Sequence, residues 1–293
     1  MVKFSKFIVV IAFTLIPQFL FSQEDDLLAD EPVKDVKAPT ADFAFKTTKV
    51  INLQSSEVTD VGVLDFKMMH RFGALNAGAY EAFGLDQATV RFGFEYGIMK
   101  DLMVSAGRSN VRSNKNLDFL VKYKLLSQTQ NNSMPVSVLF IAGVQYLIGA
   151  NAKNTLTDKQ RSSYFGQAIV TRKFNDDFSL LLSPTFLINA KSNYDQSTQV
   201  ALGIGMRQKI SVRSSINLEY IPVLTNKGDV YNSFSVGLDV ETGGHVFQFH
   251  LTNSMGLNES QFISNSVDKW NAGGIRLGFN LSRVFTIVKP KGF

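Results

Sequence analysis

From Gly62 onward apolar and polar residues alternate with a period of two, the spacing that puts every second side chain on one face of a β-strand. Val90, Phe92, Phe94, Tyr96 and Ile98 share one face, and Thr89, Arg91, Gly93, Glu95 and Gly97 the other. The same split recurs where Leu64, Phe66 and Met68 oppose Asp65, Lys67 and Arg71, and where Leu117, Phe119, Val121 and Tyr123 oppose Asp118, Lys122 and Lys124. Twelve such segments are predicted: 62–72, 87–98, 101–108, 116–126, 134–146, 163–174, 177–190, 199–210, 213–221, 232–241, 245–254 and 272–287. Most are close to the roughly 9–11 residues of a tilted strand crossing a bilayer.

A soluble sandwich alternates too, but packs its apolar faces together, whereas a transmembrane barrel turns them toward lipid. The connections favour the barrel. Gly73–Asp86, Leu147–Ser162, Pro222–Tyr231 and Met255–Asn271 are long, and each is followed by a shorter one where another connection follows. Lys191–Thr198 is also expected to be longer than Ser211–Val212, while Ser109–Lys115 and Ser127–Ser133 are level. Long extracellular loops and short periplasmic turns are the outer-membrane arrangement. The expected architecture is therefore an all-β, twelve-stranded antiparallel transmembrane β-barrel over 62–288, with 289–293 as a tail. An even strand number puts both termini in the periplasm.

The polar face carries Lys67, Arg71, Arg91, Lys122, Lys124, Lys173, Arg207, Lys209 and Arg276 with Asp65, Glu95, Asp118, Glu219, Asp239 and Glu241, a net-basic lumen in which charges can pair. The apolar face carries only Arg108, Arg172 and Arg283, near strand ends. Tyr96, Tyr123, Tyr146, Tyr164, Phe174, Phe178, Tyr220 and Trp270 fall where aromatic girdles sit. Gly93, Gly97, Gly107, Gly143, Gly203, Gly205, Gly237 and Gly278 face the lumen and leave space for a narrow pore or a plug.

Upstream, Lys3 and Lys6 precede the apolar run Phe7–Phe21 and small Ser22, a secretory signal over 1–22. The alternative is a membrane anchor, for which the run is short. Residues 23–42 follow as an acidic periplasmic tether, with six acids against two bases in Glu24–Lys37. Residues 43–61 are too apolar for a tether. Phe43–Leu53 fits three roles: entering the barrel mouth as a plug, capping the periplasmic end, or adding a strand.

Composition narrows the chemistry. The 293 residues include no cysteine, 45% are hydrophobic and the formal charge is +5, which excludes a disulfide scaffold, a thiolate metal site and a disordered chain. Without the first 37 residues, 26 basic and 19 acidic side chains remain, a surplus suited to lipopolysaccharide or small anionic solutes. No basic run with interleaved aromatics points to nucleic acid. His70, His245 and His250 lack metal-site spacing, and no cofactor motif is present. His250, Thr252 and Ser254 share one strand face, the residue types of nucleophilic acyl transfer.

Two resemblances follow. The segment His250-Leu251-Thr252-Asn253-Ser254 resembles the His-x-Ser-Asn segment of outer-membrane phospholipases, themselves twelve-stranded barrels, but places Thr252 where they have Ser and faces the lumen by parity. The stretches TTKVINLQSSE (47–57), GVLDFKMMHRFG (62–73), FGLDQATVRFGFEYG (83–97), VKYKLLSQ (121–128), MPVSV (134–138) and ETGGHVFQFHLTNS (241–254) resemble a family of bacterial outer-membrane β-barrels of unknown function, over about residues 43–288. That resemblance implies barrel and location, with no substrate, cofactor or catalytic residue attached. The expected function is a non-enzymatic one, a narrow channel or solute-binding barrel. A lipid hydrolase using His250, Thr252 and Ser254, and a scaffold for a periplasmic or surface protein partner, are the rivals.

Overall fold

The computed structural model describes residues 39–111, 114–192, 195–225 and 229–289. The expected signal segment and nearly all of the tether lie outside these residues. Twelve antiparallel strands form one closed barrel. They are β1 (Val63–Ala74), β2 (Ala88–Met99), β3 (Leu102–Val111), β4 (Asn114–Leu126), β5 (Ser137–Leu147) and β6 (Ser162–Lys173), then β7 (Phe178–Ser192), β8 (Asp195–Lys209), β9 (Ser214–Ile221), β10 (Ser233–Thr242), β11 (His245–Thr252) and β12 (Arg276–Thr286). Each strand pairs with its neighbours in sequence, and β1 closes on β12 with Val63 opposite Thr286 and Arg71 opposite Gly278.

The connections differ from the expected alternation at two places. The β3–β4 and β7–β8 hairpins stay paired to their tips, Val111 opposite Asn114 and Ser192 opposite Asp195, so neither has a long loop. Both segments lack Gly and Pro, so nothing interrupts the ladder. On the opposite end, the supposedly short β4–β5 connection spans 127–136, where Asn132 takes φ 58° and Pro135 cannot donate to a ladder. The remaining pattern holds: 75–87, 148–161, 222–232 and 253–275 gather at one end, here the long-loop end. Tight turns such as Gly243-Gly244, both at positive φ, close the other. In the short turn after β6, a hydrogen bond from Lys173 holds the Asp176 carboxyl below the usual carboxylate range.

Outward-facing side chains are apolar and exposed: Phe92, Phe94, Phe119, Phe140, Phe186 and Phe249 are among them. Arg172 and Arg283 sit at the short-turn end, each with its guanidinium over an aromatic ring, Phe174 and Phe285. Phe94 is 51% exposed at mid-strand. Phe94→Arg is therefore expected to destabilise the bilayer-folded barrel by about 2–4 kcal/mol. Denaturant titration in lipid vesicles checks this, and an unchanged midpoint would place Phe94 away from acyl chains.

The inside is not uniformly polar, which corrects the expected inversion on one half of the wall. Leu139, Ile141, Phe165, Ile169, Leu181, Leu187 and Ala201, from β5 to β8, form a buried apolar cluster with Ala44, Phe45, Val50, Leu53, Phe262 and Ile263. These apolar side chains are interspersed on the inner face with Ser163, Gln167, Thr171, Ser179, Ser183 and Thr185, and they turn inward because the face packs against other pieces of the same chain. Charged side chains concentrate on β1–β4 and β9–β12. The loop 253–275 also departs from expectation: its helix Glu259–Ser264 folds into the barrel, with Phe262 and Ile263 each 1% exposed.

Candidate functional site: a hairpin held in the lumen

Residues 39–41 run beside the β4–β5 connection at the short-turn end, with Ala41 N donating to Gln128 O at 2.8 Å and Gln130 N to Pro39 O at 2.9 Å. From there the chain turns inward. Ser55 N donates to Thr48 O at 2.9 Å and Val50 N to Leu53 O at 2.8 Å, making a two-armed hairpin with Val50-Ile51-Asn52-Leu53 at its tip. Every residue from Thr47 to Glu57 is buried. None contributes a strand to the wall, which closes through β1 and β12 alone.

The wall holds the tip through one carboxylate. Glu219 on β9 accepts from Asn52 N at 2.9 Å and Leu53 N at 3.0 Å, from the Asn52 side-chain amide, and from Ser235 Oγ at 3.1 Å. Across the barrel, Arg71 donates to Asn52 Oδ1 at 2.9 Å. Gln248 Nε2 donates to Val50 O at 2.9 Å and Asn280 Nδ2 to Ile51 O at 3.0 Å. Lower down, Lys122 Nζ spans both arms, reaching Thr48 O at 3.1 Å and Glu57 O at 2.9 Å. Arg207 donates to Ala44 O at 3.2 Å. Glu57 turns back to accept from Ala44 N and Phe45 N.

Several lumen glycines are the footprints of this hairpin. A Cβ on Gly203 would fall 2.7 Å from Leu53 Cδ2, and one on Gly237 would fall 3.0 Å from Ile51 Cδ1. Gly97 lies against the Thr59 and Asp60 carbonyls. From the long-loop end, Glu259 of the loop helix accepts from Gln54 at 2.9 Å, and Gln145 on β5 accepts from Ser260 N at 3.0 Å. Hairpin and loop helix therefore meet inside the barrel.

The other charges singled out from the sequence fall into pairs. Lys67 donates to Asp65 at 2.7 Å and lies 3.8 Å from Glu95, which also accepts from Thr48. Arg91 holds Asp118 at 2.5 Å, and Arg276 pairs with Asp268 of the long loop. Asp239 accepts from Gln248 at 3.1 Å, and Glu241 pairs with Lys46 at the short-turn end. Lys209 reaches Asp177 at 3.9 Å, while Lys124 is half-buried near the rim. Among the described residues, the fully buried bases Lys49, Lys67, Arg71, Arg91, Lys122, Arg207 and Arg276 are matched by Glu57, Asp65, Glu95, Asp118, Glu219, Asp239 and Glu259. With hairpin and loop in place the interior is balanced in charge.

His250, Thr252 and Ser254 are all buried, but among the described residues no hydroxyl is hydrogen-bonded to the imidazole. His250 Nδ1 lies 3.3 Å from Gln248 O, and its Nε2 sits over Gly278 without a partner. Thr252 Oγ1 accepts from Ser235 Oγ at 2.9 Å and Ser254 N at 3.1 Å. Ser254 Oγ accepts from Gly256 N at 3.1 Å. No three His, Cys, Asp or Glu side chains among the described residues converge as metal ligands.

Sequence reasoning singles out the charges and misses the neutral amides Asn52, Asn280 and Gln145, which do much of the holding. Their only signal is that Asn280 and Gln145 lie on the polar parity of their strands.

A closed antiparallel barrel, apolar outside and filled within, defines the class: an outer-membrane-type β-barrel. The chain belongs to the family described as membrane bound beta barrel domain (DUF5777), whose model matches residues 45–285. No curated protein matches it. Among solved structures it is similar to the KdgM porin in complex with disordered oligogalacturonate, at 10% identity and a TM-score of 0.49, over 76% of this chain and 99% of that one. It is also similar to an outer membrane channel from Pseudomonas putida F1, at 13% identity and a TM-score of 0.45, over 79% and 98%. Outer membrane phospholipase A from Escherichia coli matches at 11% identity and a TM-score of 0.44, over 75% and 89%.

Proposed function

We propose that the protein is a narrow outer-membrane channel, closed in this state by residues 44–57 acting as a displaceable plug. The long loops then face the cell exterior and the short turns the periplasm, where both termini and the acidic tether lie. Lipid and lipopolysaccharide surround the outer face. The observation that carries the reading is that the wall closes without the hairpin, so the hairpin can leave while every strand keeps its ladder.

The nature of the contact between plug and wall supports displacement. Side-chain atoms of Gln54, Thr59, Ser105, Ser179 and Ser183 are buried without a hydrogen-bond partner among the described residues, positions that water satisfies inside a polar cavity. Hydrating those groups as the hairpin moves offsets part of the cost of separating the apolar contact that Val50 and Leu53 make with β5 to β8. With the hairpin withdrawn, its Lys46, Lys49 and Glu57 go with it, and the fully buried charges left behind stay balanced at six against six; counting the half-buried rim as well, Lys67, Arg71, Arg91, Lys122, Lys124, Lys173, Arg207, Lys209 and Arg276 on the strands face Asp65, Glu95, Asp118, Glu219, Asp239 and Glu241 there and Glu259 and Asp268 of the loop, nine bases to eight acids. That surplus favours anions over cations. The hydrolase reading gains nothing, since the hydroxyls of Thr252 and Ser254 are engaged away from His250; we read the barrel as non-enzymatic.

A reversible lock tests this with the full chain, which has no native cysteine to interfere. Asn52 Nδ2 and Ser235 Oγ lie 3.0 Å apart, so a cysteine pair at these positions, joined by a short bifunctional methanethiosulfonate that spans the gap left by the shorter side chain, ties plug to wall through reducible bonds. In planar bilayers the unlinked, reduced protein is expected to show anion-selective openings, the cross-link to abolish them, and reductant to restore them. A reduced protein that never conducts, together with a silent variant lacking residues 44–57, would overturn the reading.

A further inference from the structure

The wall grips the tip of the hairpin largely by its main chain. Gln248 Nε2 and Asn280 Nδ2 donate to the consecutive carbonyls Val50 O and Ile51 O, at 2.9 and 3.0 Å. Glu219 accepts from the consecutive amides Asn52 N and Leu53 N, at 2.9 and 3.0 Å. Lower down, Lys122 and Arg207 again reach main-chain oxygens, those of Thr48, Glu57 and Ala44. Every peptide carries such atoms, so this part of the recognition does not depend on the hairpin's own residue types. Of the four tip side chains only that of Asn52 is polar, and it meets Arg71 and Glu219.

The other three tip side chains each sit over a glycine of the wall. A Cβ on Gly205 would fall 3.3 Å from Val50 Cγ2, one on Gly237 3.0 Å from Ile51 Cδ1, and one on Gly203 2.7 Å from Leu53 Cδ2. Val50 and Leu53 also join the apolar cluster of β5 to β8, with Leu181 and Ala201 among its members. Apolar recesses thus lie beside clamps for the main chain that links their occupants. Main-chain hydrogen bonds that supply affinity, with recesses that choose side chains, are the two parts of a peptide-binding site.

We propose that, once residues 44–57 withdraw, the lumen binds a short peptide with apolar side chains in the place of residues 50–53, and that such peptides are the solute class of the channel. This assignment rests on the channel reading above. With the tip gone, Glu219, Gln248 and Asn280 each lose a hydrogen bond and the recesses stand open to water, so an occupant that restores both is favoured. A small anion gains nothing at Glu219, and a sugar gains nothing from apolar recesses. The hairpin is then a resident stand-in for the solute. The two compete for one site, and a peptide that enters holds the plug out.

The test uses the full chain carrying Ser55→Cys, at a position of zero exposure, in detergent micelles. Maleimide labels this thiol only when the hairpin is out. While the hairpin returns faster than it is labelled, a competitor accelerates labelling according to its affinity for the vacated lumen, however rarely the hairpin leaves. Acetyl-Val-Ile-Asn-Leu-amide at millimolar concentration, comparable with the effective concentration of a tethered segment, is expected to speed labelling roughly fivefold or more. The same peptide N-methylated on its Asn and Leu nitrogens cannot donate to Glu219 and should bind roughly tenfold more weakly. Replacing its Ile and Leu by Ser, which leaves two recesses unfilled, should cost roughly tenfold or more. Glu219→Ala raises the basal rate but should erase the preference for the unmethylated peptide. In lipid vesicles the peptide should enter through the unlinked protein and not through one cross-linked between positions 52 and 235.

No acceleration by the tetrapeptide, or a thiol that stays unlabelled throughout, overturns the site. Equal acceleration by the N-methylated peptide, the serine peptide or maltotriose overturns the peptide assignment, and binding without uptake overturns the solute role. If the cross-link still silences the conductance reversibly, the channel reading survives each of these failures.

Discussion

Glu219→Ala is expected to open the barrel by freeing the plug, raising the labelling rate of a Ser55→Cys thiol roughly 100-fold in parallel with bilayer conductance. The carboxylate is 1% exposed and takes hydrogen bonds from two consecutive backbone amides, the Asn52 side chain and Ser235. Bonds to a charged acceptor are worth about 1.5–3 kcal/mol each, and donors left unpaired in a buried site cost a similar amount. Water entering the vacated space recovers part of that. A net loss of about 3 kcal/mol shifts the in–out equilibrium by roughly two orders of magnitude. Glu219→Gln keeps one acceptor oxygen and should fall between the two. Since three of the four hydrogen bonds to Glu219 come from the hairpin and only the Ser235 hydroxyl crosses the β9–β10 seam, the β-barrel itself should survive. Unchanged labelling in a folded Glu219→Ala protein would mean that the tip is held elsewhere.

Asp118→Ala should instead strike the wall. It strands the Arg91 guanidinium, 2% exposed, whose nitrogens reach Asp118 at 2.5, 2.9 and 3.2 Å. Removing one partner of a buried pair costs about 3–5 kcal/mol, because the other charge is left uncompensated. Arg91 has nowhere to go: its guanidinium lies over Gly93 and Gly107, with NH2 2.2 Å from where a Cβ on Gly107 would sit. The expected result is a large fall in the denaturant midpoint of the bilayer-folded protein. The double variant Arg91→Met with Asp118→Leu should recover at least half of that loss, because replacing both charges leaves neither stranded. A double variant as unstable as Asp118→Ala would show that the pair does more than neutralise itself. The contrast between the two carboxylates is informative: one fastens a removable element, the other a permanent one.

Strand parity made the wall legible. The alternation in 87–98 put Arg91 and Glu95 on one face and Phe92 and Phe94 on the other, and the structure gives Arg91 2% exposure against 46% for Phe92. A strand one residue out of register would turn every side chain to the wrong medium, so the pattern is a strong constraint. Parity was weakest on β5 to β8, where the run Val138–Ala142 and Leu180–Leu182 carry apolar side chains on both faces. Local sequence cannot distinguish a lipid-facing leucine from one packed on a hairpin, since both want the same chemistry. The connections were misread at Ser109–Lys115 and Lys191–Thr198 for a related reason: polar residues without Gly or Pro can form a loop or extend a ladder equally well.

The amino-acid sequence alone determined that twelve segments cross, which side of each meets lipid, and that charges line an interior, because period-two patterning acts over a few residues and needs no distant partner. Only the tertiary structure decided what fills that interior. Asn52 meets Glu219 across 167 positions, Gln54 meets Glu259 across 205, and Asn280 meets Ile51 across 229. Contacts of that separation exist only once the barrel has closed around the hairpin, so no local pattern records them. The glycines at 203 and 237 show the limit well: the sequence marked room inside the wall, and the fold supplied Leu53 and Ile51 to occupy it.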